Sequence, residues 1–179
     1  MENALDRADE VMAEGRDRVR NLRDATVSRG DLPAAFTRIV NENSQDGQVT
    51  FKSVVEGRLR ELNPIVLEES YAIGREALIN ALTHSDGHNV EAEITYSRQQ
   101  FRLRIRDDGR GIEPEILKAG SRVGHYGLQG MRERADRIDA QLKLWSGADT
   151  GTEVELLVPA TTAYRKTDRE KSRSWFRFR

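Results

Sequence analysis

The sequence contains no cysteine, which excludes disulfide bridges and thiolate metal sites. Its three histidines are scattered along the chain, so a zinc site is not predicted either. No apolar run approaches the roughly 20 residues that a membrane-spanning helix needs, and the first ten residues have no apolar signal core. We therefore predict a soluble chain in the cytoplasm.

A strong net charge is also missing. The 29 lysines and arginines nearly balance the 30 aspartates and glutamates, which leaves a net charge of −1. No global electrostatic field therefore predicts a nucleic-acid partner. A chain of 179 residues is long enough for one α/β domain with an appendage. Any ligand or partner must be inferred from a local site.

The first 28 residues show apolar side chains at steps of three and four, which is typical of a heptad helix. The apolar seam consists of Leu5, Ala8, Met12, Gly15, Val19 and Leu22. Such a narrow stripe requires a second helix, and the alternative is that the helix packs against its own domain. Gly30 and Pro33 interrupt the pattern, so we place the boundary near residue 28.

The next part of the chain alternates helix and strand patterns. A short helix at "LPAAFTRIVNEN" precedes a strand at "VTFKSVVEG" and a helix over 64–84 that begins at Asn63 and Pro64. A hairpin of "VEAEITYS" and "FRLRIRD" follows, then a helical turn at "PEILKAG" and an amphipathic helix at "LQGMRERADRIDAQL". Two strands, "QLKLWS" and "TEVELLVP", complete the predicted elements.

Tight turns join most of these strands. We therefore predict an α+β, two-layer sandwich over residues 29–160, in which a mixed, largely antiparallel sheet carries helices on one face. Residues 161–179 form a basic tail with interleaved aromatic residues. We predict that this tail is disordered, and the alternative is contact with a membrane surface or nucleic acid.

Asp107 continues the buried face of the strand "FRLRIRD". Phe101, Leu103 and Ile105 alternate with arginines, so the next residue that points inward is this carboxylate. Asp108 falls on the opposite face and is predicted to be solvated. A buried carboxylate without a partner costs several kcal/mol or becomes protonated. The pattern therefore predicts that Asp107 faces a ligand or another polar partner.

Glu76 and Asn80 are four residues apart on the long predicted helix, and His84 follows one turn later. This spacing places their side chains on one face. Carboxylate and amide oxygens suit a hard cation such as Mg²⁺, which retains several waters. The alternative is a solvated helix face without a ligand.

Two glycine groups complete the pattern. "DDGRG" follows a strand, but the third glycine of a dinucleotide-binding fingerprint would fall on Pro114, and no P-loop sequence occurs. "GHYGLQGM" leads into the amphipathic helix near Leu128, where free backbone N–H groups can meet phosphate. Together with the acid and amide of the long helix, these groups predict a nucleotide site with Mg²⁺.

These stretches resemble the motifs of the GHKL ATPase superfamily, which has the Bergerat fold. "REALINALTHS" is similar to its N box, "DDGRGI" to its G1 box, "GHYGLQGM" to its G2 box and "GTEVELLVP" to its closing strand. "GLQGMRERADRI" and "EGRDRVRNLR" resemble bacterial sensor histidine kinases of the subfamily that includes nitrate sensors. The resemblance covers residues 4 to 160.

The resemblance implies a role for each motif. Asp107 would accept a hydrogen bond from the adenine amine of ATP or ADP, Asn80 would bind Mg²⁺, and Glu76 would be the accompanying catalytic acid. The remaining implied nucleotide-binding residues are His84, Gly109, Gly111, Gly124, Gly127, Leu128, Gly130 and Thr152. Among them, the glycines at 124, 127 and 130 would form the ATP lid, and the Thr152 hydroxyl would support Asp107.

The resemblance also implies partners. Residues 1–28 resemble only the second helix of a dimerisation and phosphoacceptor hairpin, and no acceptor histidine motif occurs here. The γ-phosphoryl group would therefore pass to a histidine outside this fragment and then to a response regulator. The intact kinase would be a homodimer, anchored in a membrane elsewhere.

Two departures leave alternatives open. Thr83 stands where the family usually has lysine or arginine, and the acceptor motif is missing. The alternatives are a nucleotide-binding GHKL module without kinase activity, an anti-sigma serine kinase, and a GHKL ATPase of the mismatch-repair, topoisomerase or chaperone type.

Overall fold

A computed structural model describes residues 31–44, 49–112 and 126–165 of the chain. Several predictions fall outside these ranges. They are the heptad helix of residues 1–28, the helical turn at "PEILKAG", Gly124, and the tail from residue 166 onward.

The described residues contain four helices and five strands. The helices are α1 (Leu32–Asn43), α2 (Pro64–His84), α3 (Tyr126–Arg137) and α4 (Ala160–Ala163). The strands are β1 (Thr50–Gly57), β2 (Asn89–Tyr96), β3 (Gln100–Asp107), β4 (Gln141–Gly147) and β5 (Gly151–Pro159).

The five strands form one sheet in the order β1-β2-β3-β5-β4. β1 pairs with β2 in parallel, whereas the other three pairs are antiparallel. α2 packs against the buried side of β3, where a Cβ on Gly74 would lie 3.1 Å from the Leu103 side chain. The other side of the sheet carries charged side chains. Among them, Arg102 and Arg104 both form ion pairs with the carboxylate of Glu93. The predicted α+β sandwich with a mixed, largely antiparallel sheet is confirmed.

The first two described helices, α1 and α2, begin where the sequence predicted. The Asp31 carboxylate accepts a hydrogen bond from the amide of Ala34 at 3.1 Å and caps α1. The Asn63 side chain accepts one from the amide of Ile65 at 3.3 Å and caps α2, whose first residue is Pro64. These caps satisfy N–H groups that a helix start leaves without intrahelical partners.

α3 ends earlier than the predicted pattern. The helix stops at Arg137, and Leu142, which the apolar spacing assigned to it, lies in β4 opposite Leu156. The helix terminates because Asp139 adopts a left-handed φ of +51° and the amide of Ala140 bonds to the carbonyl of Ala135 at 2.9 Å. Glycine usually occupies such a position, so an aspartate there gave no stop signal.

The domain also extends beyond the predicted boundary at residue 160. α4 follows β5 directly, and Tyr164 is only 5% exposed. Tyr164 forms a β-bridge with Leu62, and the Arg60 guanidinium lies 3.5 Å from the centre of its ring. Residues 161–165 therefore belong to the packed domain and not to the tail.

Candidate functional site

A cleft of about 810 Å³ opens between α2, the residues after β3, the start of α3 and the β4–β5 hairpin. Eight predicted site residues line it: Glu76, Asn80, His84, Asp107, Gly111, Gly127, Leu128 and Thr152. Gly109 and Gly130 do not line it. The apolar part of its wall includes Met131, Leu144 and Val154. A concave, mostly apolar space with a few polar side chains is typical of a small-molecule site.

Asp107 is buried at the end of β3, as the alternation predicted, with 6% of its surface exposed. Its Oδ1 accepts hydrogen bonds from the amides of Gly109 at 2.9 Å and Thr152 at 3.2 Å. The described residues give no hydrogen bond to Oδ2. Burial raises the pKa of this carboxyl above its usual value, although the two amides act in the opposite direction. The carboxylate is therefore held by one oxygen, which leaves the other available to a ligand.

The turn after Asp107 depends on close backbone contacts. A Cβ on Gly109 would lie 2.1 Å from the carbonyl oxygen of Ser85, and Gly111 has a φ of +77°. Larger residues would displace the turn from the end of α2 or strain its backbone. Both glycines therefore position the cleft wall, although only Gly111 lines the cleft itself.

The polar residues of α2 lie together as the helical spacing predicted. Glu76 and Asn80 are half-buried and line the cleft, and His84 is exposed at the end of the same helix. A Cβ on Gly127 would lie 2.2 Å from Oε1 of Glu76, so the glycine allows α3 to approach this carboxylate. A Cβ on Gly130 would meet nothing within 4 Å.

Thr152 contacts Asp107, but through a different group from the one that the resemblance implied. Its backbone amide donates to Asp107, whereas its hydroxyl lies 3.0 Å from Oγ of Ser146. The support therefore comes from the start of β5 as a backbone element. Ser146 had no signal in the sequence, because its role depends on strand register.

The buried carboxylate of Glu69 forms ion pairs with two arginines of α3. Glu69 of α2 is 4% exposed and accepts hydrogen bonds from Arg134 at 3.1 Å and from Arg137 at 2.6 Å. Both arginines lie on α3, one or two turns after Met131, which lines the cleft. These two ion pairs therefore hold α3, which forms one cleft wall, against α2.

Gly151 is a further residue that sequence reasoning missed. Its φ is +80°, and a Cβ there would lie 2.0 Å from the carbonyl oxygen of Asp107. We expect Gly151→Ala to destabilise the fold by about 2 kcal/mol or more, because the backbone strain and the clash add. Chemical unfolding monitored by circular dichroism measures this change.

Gly130→Ala is the matched control for this substitution. Its Cβ has free space in α3, and alanine is the better helix former by roughly 0.5–1 kcal/mol. We therefore expect a small gain in stability. Equal effects of the two substitutions would contradict the proposed clash at Gly151.

Asp108 is exposed, as predicted, but it also fixes the start of β2. Its carboxylate accepts hydrogen bonds from the amides of His88 and Asn89, each at 2.8 Å, and from the Asn89 side chain at 2.6 Å. The bonds from Asn89, and then that from His88, lower its pKa to about 2. Asp108 is therefore a structural residue at the entrance to the hairpin.

We expect Asp108→Asn to lower the melting temperature by a few degrees at neutral pH, because one acceptor oxygen becomes a donor. The pKa of Asp108 is lower in the folded state, so its contribution is present above the ordinary value of 3.8 and is lost as pH falls towards about 2. Thermal unfolding between pH 6 and 2 should show a smaller acid-dependent loss in the variant. Identical pH profiles would contradict this role.

The side-chain oxygens of Asn80 and Glu76 also suit an Mg²⁺ ion that is bound together with a phosphate ligand. The described residues contain no cluster of three or more His, Cys, Asp or Glu side chains that could hold a metal alone. Mg²⁺ is commonly bound through one or two protein oxygens, waters and phosphate oxygens. The Asn80 carbonyl and the Glu76 carboxylate fit that requirement.

The cleft is typical of a small-molecule site, and comparison with known families identifies the class of domain. The family model for "Histidine kinase-, DNA gyrase B-, and HSP90-like ATPase" matches residues 69–162, which include every residue that lines the cleft. The chain belongs to this ATPase family. The predicted GHKL resemblance is therefore confirmed.

Individual relatives are sensor proteins. The chain is 32% identical over 143 residues to the sensor protein NarQ homolog of Haemophilus influenzae, which covers 76% of this chain and 24% of that protein. It is 28% identical over 152 residues to the sensor histidine kinase LiaS of Bacillus subtilis, which covers 85% of this chain and 41% of that protein. The chain thus spans less than half the length of these relatives. Membership of the subfamily that includes nitrate sensors remains a prediction, because the chain matches the NarQ homolog and LiaS at similar identity.

Solved structures support the fold. The histidine kinase domain of the blue-light activated histidine kinase from Erythrobacter litoralis EL346 matches with a TM-score of 0.59 at 23% identity. The match covers 73% of this chain and 64% of that chain. In the described part of this chain, no helix is both long and apolar enough to cross a membrane.

Proposed function

We propose that this chain is the ATP-binding catalytic domain of a two-component sensor histidine kinase and that this domain lies in the cytoplasm. The observation that carries the proposal is the buried Asp107, whose Oδ1 is held by two amides while Oδ2 has no hydrogen bond from the described residues. The exocyclic amine of adenine donates a hydrogen bond, and the free carboxylate oxygen accepts one. Guanine has a carbonyl at that position and would set acceptor against acceptor.

The phosphates would lie towards α2. Asn80 would hold Mg²⁺ through its side-chain oxygen, and Glu76 would be the accompanying carboxylate that orients water. When bound, Mg²⁺ supplies positive charge that offsets the charge of the phosphates. The start of α3 at Gly127 and Leu128 adds backbone N–H groups on the same side of the cleft.

The proposed reaction is transfer of the γ-phosphoryl group of ATP to a histidine outside this chain. A bond forms between an imidazole nitrogen and the γ-phosphorus, the bond from that phosphorus to the β–γ bridging oxygen breaks, and ADP leaves. The acceptor histidine would lie on a dimerisation hairpin whose second helix would be formed by residues 1–28. A response regulator would then receive the phosphoryl group, in an intact homodimer anchored in a membrane by other segments.

A mixture of this chain, a separately produced acceptor-helix fragment, Mg²⁺ and γ-labelled ATP tests the proposal. We expect acid-labile, alkali-stable label on the fragment, as phosphohistidine gives, and no label from GTP. Acid-stable label on serine would favour the anti-sigma kinase alternative. Binding of ATP without any transfer would favour a nucleotide-binding module, which the exposed Thr83 at a usually basic position also favours.

A further inference from the structure

Ser146 of β4 contacts both the segment that follows β3 and the start of β5. Its hydroxyl oxygen accepts a hydrogen bond from the amide of Ile112 at 2.7 Å and donates to the carbonyl oxygen of Gly151 at 3.2 Å. It also lies 3.0 Å from the hydroxyl of Thr152. A serine hydroxyl has one donor and two acceptor positions, so these three contacts use its full capacity. In this arrangement, Thr152 is the donor in the hydroxyl pair.

The contact continues from Thr152 to Asp107. Ser146 and Thr152 face each other in the register of β4 and β5, and the amide of Thr152 donates to Oδ1 of Asp107. The segment 107–112 is thus attached to this one pair at two points. Asp107 is held by the amide of Thr152, and the amide of Ile112 donates to Ser146.

We propose that Ser146 is a positioning residue for recognition of the adenine base. It holds Thr152 and Ile112 so that Asp107 keeps Oδ1 on the two amides and presents Oδ2 to the cleft. Ser146 is not among the described residues that line the cleft, so it acts through these neighbours. The inference rests on the proposed contact between Asp107 and adenine.

The test compares ATP with ITP, whose base has a carbonyl where adenine has the amine. Calorimetric titration of wild type and Ser146→Ala with each nucleotide gives the ratio of the two affinities. Partial unfolding lowers both apparent affinities by the same factor and leaves the ratio unchanged. We expect the preference for ATP to fall about fivefold or more in Ser146→Ala, which corresponds to one lost hydrogen bond.

Two variants serve as controls. Thr150→Ala removes another hydroxyl of the same hairpin, which donates to the carbonyl of Gly147 at 3.1 Å, and it should leave the ratio unchanged. Ser146→Thr retains the hydroxyl and should preserve most of the preference. If Ser146→Ala does not fold, the ratio of ATP to ITP affinity is measured with Ser146→Cys. A thiol is a weak donor and a weak acceptor, so the same loss of preference is expected.

The outcomes separate this inference from the function on which it rests. A wild-type ratio near one would overturn the adenine contact of Asp107 and this inference together. A large wild-type preference that persists unchanged without the Ser146 hydroxyl would overturn this inference alone. An equal loss of preference in Thr150→Ala would also overturn it, because the effect would then belong to the hairpin as a whole.

Discussion

Replacing Asn80 with alanine is expected to remove the gain in ATP affinity that Mg²⁺ provides. Asn80 is half-buried in the cleft on the same face of α2 as Glu76, and its side-chain oxygen is the proposed metal ligand. Alanine is the best helix former, so the substitution should leave α2 intact. Titration of ATP with and without Mg²⁺ should show a difference of about tenfold or more in wild type and almost none in the variant.

Phosphoryl transfer should fall further than binding, by about 100-fold, if the same group stabilises charge in the transition state. Asn43→Ala is the matched control. The Asn43 amide donates to the carbonyl of Ile39 at 2.7 Å on α1, and this residue does not line the cleft. Its Mg²⁺ response should equal that of wild type. A wild-type Mg²⁺ response in Asn80→Ala would refute the metal role.

Local sequence patterns predicted the parts of the site that lie within one element. The alternation of β3 placed Asp107 on the buried side, and the four-residue spacing on α2 placed Glu76 beside Asn80. These predictions succeeded because the periods of strands and helices depend only on the backbone of one element. The predicted cap at Asn63 is local for the same reason.

Contacts between distant segments could not be predicted in this way. Ser146 meets Ile112 across 34 residues, and the amide of Thr152 meets Asp107 across 45. Both contacts depend on the order in which β3, β5 and β4 pair, which no local pattern determines. The end of α3 was missed for a different reason. The helix ends at a left-handed residue, Asp139, and the usual sequence signal for such a position is glycine.

Replacing Asp107 with asparagine is expected to weaken ATP and ADP binding by about ten- to a hundredfold. The direction follows from the two amides of Gly109 and Thr152, which both donate to Oδ1. An asparagine must keep its oxygen towards those two donors, so its NH₂ group would take the place of Oδ2. That group would face the adenine amine, and two donors would meet.

The same substitution should not destabilise the fold at neutral pH. Burial raises the pKa of Asp107 in the folded state, so its stabilising contribution is complete below the unfolded pKa and is lost as pH rises through the folded pKa. Ionisation of this buried carboxyl is therefore a cost to the folded state that asparagine does not carry. A melting temperature equal to or above that of wild type, combined with weak binding, would separate a recognition defect from unfolding.

The pH dependence of wild type provides an independent readout. Protonation turns the carboxylate into a donor, so affinity for ADP should fall as pH drops through the raised pKa of Asp107. The affinity of Asp107→Asn should lack this component. Asp136→Asn, on the exposed surface of α3, makes the same chemical change away from the cleft and should bind like wild type. Comparable losses at 107 and 136, or none at 107, would remove the basis for adenine recognition in this cleft.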